Sequence, residues 1–167
     1  MPSHVSEPSS YFFLGAKMVV HLGGADTGGE FSLIETTIPP GSDSGLHLHA
    51  IENETIHIIE GSLEITIGGK TCALTKGQSA LAPRNYHHRL RNTGQEEVRA
   101  FLIHTPGTFD RFVNIAGIPL HETTGLSPAP LTIEQSQELF RLAELFSITI
   151  ITVPQGGNIS TDFKNRD

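Results

Sequence analysis

Four side chains are of the types, and at the spacings, that hold a transition metal: His47 and His49 in GLHLHA, Glu54 just beyond them, and His88 in NYHHRL. In an extended segment residues i and i+2 point the same way, so His47 and His49 offer two imidazoles to one face. Glu54 follows the AIEN turn, where an antiparallel return would bring its carboxylate beside that pair. His88 opens the later run HHRLRN and would have to arrive from across a barrel. Three neutral imidazoles and one carboxylate suit a single borderline divalent ion per chain (Fe, Mn, Ni, Co, Cu or Zn) and suit Ca or Mg poorly. An H-x-H pair alone is also what surface histidines or hydrogen-bonded core histidines produce, so the surrounding scaffold decides.

That scaffold reads as β structure. Gly and Pro number 17 and 10 in 167 residues, well above the roughly 12% the two usually contribute together. From Ala16 the chain is a series of short β-rich runs cut by turn residues: KMVVHL, FSLIETTI, ETIHIIEG, SLEITI, KTCALT, QSALAP, HHRLRN and EEVRAFLIHT. Gly68-Gly69 between two such runs predicts a two-residue hairpin, because both positions can take φ > 0. After Pro106 the texture changes. Thr108 and Gly117 bracket a short helix carrying Phe109, Phe112 and Val113 on one side. Thr132 and Gln135 form a capping box for a second helix with Leu139, Leu142, Ala143 and Phe146 at helical spacing. The run ITIITV at 148–153 predicts a strand added to the sheet or to a partner's edge. The expected layout is an N-terminal arm at 1–15, a β-barrel domain at 16–153 with helices near 108–117 and 132–147, and a flexible tail at 154–167.

Around the four candidate ligands the chain reads Gly41-x5-His47-x-His49-x4-Glu54-x6-Gly61, then Gly77-x5-Pro83-x-Asn85-x2-His88-x3-Asn92. These two motifs resemble those of the cupin family. The resemblance implies an all-β fold, the cupin double-stranded β-helix or jelly-roll barrel, here with a short C-terminal helical appendage. It also implies that His47, His49, Glu54 and His88 are the metal ligands. Asn85 stands where the family usually has glycine; asparagine best tolerates the left-handed conformation, so the turn is expected to survive. Strand alternation turns His87 away from His88 and His57 away from Glu54. His4, His21, His57, His87 and His121 are therefore read as non-ligands.

The flanking segments DTGGEFSLIETTIPPG and TPGTFDRF resemble a branch of small single-domain bacterial cupins that includes quercetin 2,3-dioxygenase-like proteins. That resemblance implies a dioxygenase whose substrate is an electron-rich enol or phenol, flavonol-like, with dioxygen as co-substrate and Glu54 as ligand and general base. His104, in a run where an apolar residue is expected, could meet substrate or simply be a hydrogen-bonded strand-end histidine. Two other readings share the site: a non-redox metal enzyme (isomerase, decarboxylase or lyase, cyclase) and a non-catalytic small-molecule-binding module.

Composition narrows the partners. Eleven Lys+Arg against 18 Asp+Glu give a net charge of −7, and no basic cluster tracks a phosphate backbone, so nucleic acid and anionic membrane surfaces are disfavoured. The single cysteine, Cys72, excludes a disulfide within the chain. The opening MPSHVSEPSS lacks a signal-peptide pattern and no 18-residue apolar run occurs, which sets the expectation of a cytoplasmic protein. ITIITV and FSLIETTI leave more edge and apolar face than one small barrel covers, which predicts a homodimer.

Overall fold

The computed structural model describes residues 6–122, 130–156 and 159–160. Twelve strands occur among them: β1 Ser9–Phe13, β2 Ala16–Leu22, β3 Ser32–Ile38, β4 His47–His49, β5 Asn53–Glu60, β6 Ser62–Ile67, β7 Lys70–Thr75, β8 Ser79–Ala82, β9 His88–Arg91, β10 Val98–Thr105, β11 Ile118–Pro119 and β12 Ile148–Ile150. Helices α1 (Phe109–Ala116) and α2 (Ile133–Leu145) follow β10 and precede β12. Period-two patterning sets the buried faces. Along β3, Ser32, Ile34, Thr36 and Ile38 are buried, and along β10, Val98, Ala100, Leu102 and His104. Gly68 and Gly69 take φ +56° and +80° between Ile67 and Lys70, which form the closing pair of the β6–β7 hairpin.

The expected all-β double-stranded β-helix closed as a jelly-roll barrel does not form. The strands make a seven-stranded sheet, in the order β11-β1-β2-β3-β10-β5-β8, and a five-stranded sheet, β12-β4-β9-β6-β7. Each sheet keeps two edges, and the named strands of one do not pair with those of the other. Closure fails for local reasons. β8 is four residues long and is followed by Pro83, and β12 is three residues long with Pro154 close behind; proline has no N–H with which to extend a ladder.

The helices are more than an appendage. α1 buries Phe109, Phe112, Val113 and Ala116, and α2 buries Leu139, Leu142 and Ala143, all part of the apolar core built on Ile34, Ile56, Ile58, Leu63, Ile65 and Leu102. The α2 capping box is present, with Gln135 N–H donating to Thr132 Oγ1 at 3.1 Å. Phe146 meets Phe112 with ring centroids 5.5 Å apart. The stretch expected as an N-terminal arm holds β1, whose Tyr11 and Phe13 are buried and which pairs with β2 and β11. In the stretch expected as a tail, Ile159 is 2% exposed and joins the core. Apolar side chains in both stretches find a core to fill, which outweighs their Pro/Ser-rich surroundings. Among the described residues no helix is long and apolar enough to cross a membrane.

Candidate metal centre

The four candidate donors converge at the interface of the two sheets. One ligand atom from each of His47, His49, Glu54 and His88 lies within 4.8 Å of the others. His47 and His49 point the same way from β4, as the H-x-H spacing expects. The other two reach the site by routes opposite to those expected. His88 lies beside the pair, not across from it: β9 is the immediate neighbour of β4, with His47 and His88 as directly paired residues. Glu54 comes from the facing sheet, because the turn at 50–52 carries the chain from one sheet to the other. Asn85 takes φ +65°, the left-handed turn expected of it, and its N–H donates to His49 O at 2.8 Å.

The tautomers follow from the acceptors around the rings. His47 Nδ1 is 3.0 Å from Gly45 O, His88 Nδ1 is 3.0 Å from Tyr86 O, and His49 Nδ1 is 2.8 Å from Glu52 Oε2. A carbonyl or carboxylate can only accept, so each Nδ1 carries the proton and each Nε2 is turned inward. His49 Nε2 is buried without a hydrogen-bond partner, 3.7 Å from Glu54 Oε2. The Nε2 lone pairs of His47 and His49, the His88 Nε2 once it gives up the proton it shares with Glu54 Oε2 at 2.8 Å, and the carboxylate form a donor set that fits a divalent transition ion. Gly45, which supplies the carbonyl to His47, has φ +69°, and a Cβ there would sit 2.2 Å from Thr152 O. Any side chain at that position would displace the loop that aims His47.

Electrostatics favour neutral imidazoles and an ionised carboxylate. Burial, then the neighbouring His88 and His49, push the His47 imidazole down to about 3. Burial also lowers His49, against the pull of Glu52. Burial works against ionising Glu54, but the imidazoles of His104 and His88 outweigh it and hold that carboxyl well below the usual range. His88 differs: burial would lower it, yet Glu54 Oε2 at 2.8 Å from its Nε2 raises it. The sign of the pH dependence follows. The unfolded chain protonates His47 and His49 near 6.5 and the folded chain does so only at lower pH, His47 at about 3, so stability falls as pH drops below 6.5. The depressed Glu54 works in the same direction below the usual carboxylate value, while the raised His88 and the Asp110 carboxyl, raised by burial, oppose it. Chelator-stripped protein should therefore show a melting temperature that declines steadily between pH 6.5 and 4. A flat or rising midpoint over that window would contradict this assignment.

Glu52 is the residue that sequence reasoning missed. It is 1% exposed. One carboxylate oxygen holds His49; the other accepts from Thr108 N at 2.9 Å, Thr108 Oγ1 at 2.6 Å and Phe109 N at 2.8 Å. Thr108 was expected to cap α1 with its own side chain, and makes no such bond. The cap comes from Glu52, 56 residues earlier in the chain, placing a negative charge at the helix N-terminus. The available signal was His49-x2-Glu52, a carboxylate three residues from a candidate ligand. Glu52→Ala should weaken metal binding by roughly 10–100-fold, the usual cost of losing an outer partner of a ligating histidine. It should also destabilise the fold by about 2 kcal/mol through the orphaned helix N–H groups. Metal titration and denaturant unfolding read the two effects; unchanged metal affinity would show that Glu52 is only a helix cap.

The remaining histidines are placed as follows. His57 bonds Ser79 Oγ at 2.8 Å on the outer face, His87 is exposed, His21 pairs with Glu35 at 3.2 Å, and His121 is exposed in a helical turn. His4 lies outside the described residues. His104 is fully buried, its Nε2 3.8 Å from Glu54 Oε2 and its ring stacked on Phe109 at 4.2 Å. It sits behind Glu54 rather than on the wall of the adjoining cavity. That cavity has a volume of about 90 Å³ and is lined largely by apolar side chains such as Met18, Leu102, Phe112 and Ile148. Of the four donors, His47 and Glu54 face it.

Residues 34–104 match the Cupin_2 cupin-domain model. CurC of Streptomyces cyaneus, named a polyketide synthase, is 37% identical over 60 residues, which cover 36% of this chain and 39% of CurC. Protein SchB of Streptomyces halstedii is 28% identical over 92 residues, 55% of this chain and 65% of SchB. The chain thus spans less than two thirds of either relative. An RmlC-like cupin from Shewanella frigidimarina superposes with a TM-score of 0.56 at 17% identity, over 65% of this chain and 96% of that one. Residues 34–104, which hold all four donors of the converging His/His/Glu/His cluster, are thus similar to a cupin domain, and the two-sheet fold is similar to that of the RmlC-like cupin.

Proposed function

We propose that this chain is a metal-dependent enzyme, a dioxygenase acting on an electron-rich enol or phenol of flavonol-like character, with one divalent transition ion per chain. One observation carries the reading: His47 and Glu54, half of the donor cluster, face a mainly apolar cavity. Such a pocket selects a largely apolar molecule whose oxygens reach the cluster. The bound ion would supply Lewis acidity and redox chemistry. Glu54, held ionised, accepts the proton of the substrate hydroxyl as it approaches. Phe109 and Leu102 keep water from the reacting end. The similarity to CurC supports the substrate class, since polyketides carry enol and phenol oxygens. A homodimer belongs to the same proposal, because β12 leaves one edge of the five-stranded sheet open; a monomeric mass by light scattering would remove it.

Oxygen uptake over a panel of flavonols, catechols and β-diketones tests the reaction type. Turnover should consume dioxygen, stop under strict anaerobiosis and place oxygen-18 in the product. A second reading rests on Glu54 alone, which faces the cavity and can move a substrate proton without oxygen. Undiminished anaerobic conversion would overturn the dioxygenase and leave isomerisation, decarboxylation or cyclisation.

A further inference from the structure

Away from the donor cluster, the same cavity contains two buried hydroxyls with nothing to bond. Thr36 is 1% exposed and Ser42 is 6% exposed; both line the cavity, and neither Thr36 Oγ1 nor Ser42 Oγ has a hydrogen-bond partner. The other polar groups nearby are occupied. Asp43 receives Arg89 Nε at 2.8 Å and Gly45 N–H at 2.9 Å, and Ser44 Oγ accepts Leu90 N–H at 3.0 Å. A fold gains nothing from a buried, unpaired hydroxyl, because valine or alanine would fill the space without stranding a polar group. Two of them lining one cavity mark a place where something else supplies the bond.

Sheet register puts both hydroxyls at the same end of the cavity. On the seven-stranded sheet Thr36 pairs with Ala100 and Ala100 with Ile58, which is four residues beyond Glu54 on β5. Ser42 O accepts the N–H of Asn92, four residues beyond His88, at 3.0 Å. Four residues of strand span roughly 13 Å at 3.3 Å per residue. The two sheets therefore carry the hydroxyls a similar distance past the two donors that touch each other, Glu54 and His88.

We infer that Thr36 and Ser42 form a distal polar subsite that anchors the far end of an elongated, mainly apolar ligand carrying a hydroxyl or carbonyl there, while its other oxygens face His47 and Glu54. The inference rests on the enol or phenol reading above and deepens it. Such a ligand has two or three fused or linked rings; a small acid or a single ring reaches the donor cluster but not the subsite. A hydroxyl can donate and accept, so the pair reads the presence of a polar atom rather than its charge.

The test uses two probes that differ at one end: 3-hydroxyflavone, with the enol–ketone head alone, and 3,4′-dihydroxyflavone, which adds a hydroxyl to the far ring. Fluorescence titration of the protein as purified should show the dihydroxy probe bound about tenfold tighter. Thr36→Val and Ser42→Ala should each erase most of that preference while leaving the affinity for 3-hydroxyflavone unchanged. Equal binding of both probes by the wild-type chain, or a preference that survives both substitutions, overturns the subsite alone. Failure of both probes to bind overturns the enol head as well, and the subsite with it. A measurement without ligand stands beside these. Thr36→Val should raise the melting temperature, because a stranded hydroxyl is exchanged for a methyl group of equal shape; a lowered one would show that the fold itself uses the hydroxyl.

Discussion

Glu54→Gln should abolish turnover, by at least the 10²–10⁴-fold typical of losing a general base, in a protein that still folds and is resupplied with metal in excess. Glutamine has the same shape, and Glu54 is 4% exposed, so the space it fills is preserved. The charge is not. Glu54 Oε2 stands 2.8 Å from His88 Nε2, 3.7 Å from His49 Nε2 and 3.8 Å from His104 Nε2, and is the only carboxylate in the donor cluster. An amide neither takes a proton from an enol nor balances the charge of a cation, so metal affinity should fall as well. The melting temperature should fall, though the protein still folds, because removing one partner of a buried ion pair leaves His88 without the carboxylate that balances it. Steady-state rates on metal-saturated protein, beside its melting curve, measure both. A wild-type rate in metal-loaded Glu54→Gln would remove Glu54 as the base.

Much of the site was legible because ligand spacing is a local property. His47 and His49 share a face by strand alternation, and Asn85 keeps a left-handed turn; neither depends on where the strands end up. What was misread depends on sheet assignment. Glu54 was expected beside the pair and His88 opposite, and the two are interchanged, because a three-residue turn can join strands of one sheet or carry the chain between two. Closure of the barrel failed for a related reason: hydrophobic alternation counts strands but does not say which edges are long enough to pair. Glu52 escaped notice because its four partners lie in two segments, at 49 and at 108–109, that the sequence keeps apart. The orphaned hydroxyls of Thr36 and Ser42 were invisible for the opposite reason. Threonine and serine are ordinary in strands and turns, and only burial without a partner distinguishes them.

The largest expected loss of metal is in His88→Ala. His88 is 1% exposed, its Nδ1 is fixed by Tyr86 O, and its Nε2 meets Glu54 directly, so alanine removes a ligand and leaves the carboxylate without its nearest partner. The effect should exceed the roughly 10–100-fold lost on deleting an outer partner of a ligating histidine. His87 next to it is exposed and is the control. Titration of chelator-stripped protein with cobalt(II), followed by its visible absorption, decides the matter. The wild-type and His87→Ala chains should each saturate at one ion per chain, and His88→Ala should show no saturable binding at the same concentrations. Full cobalt binding by His88→Ala, or none by the wild-type chain, would contradict the metal centre on which the proposed activity depends.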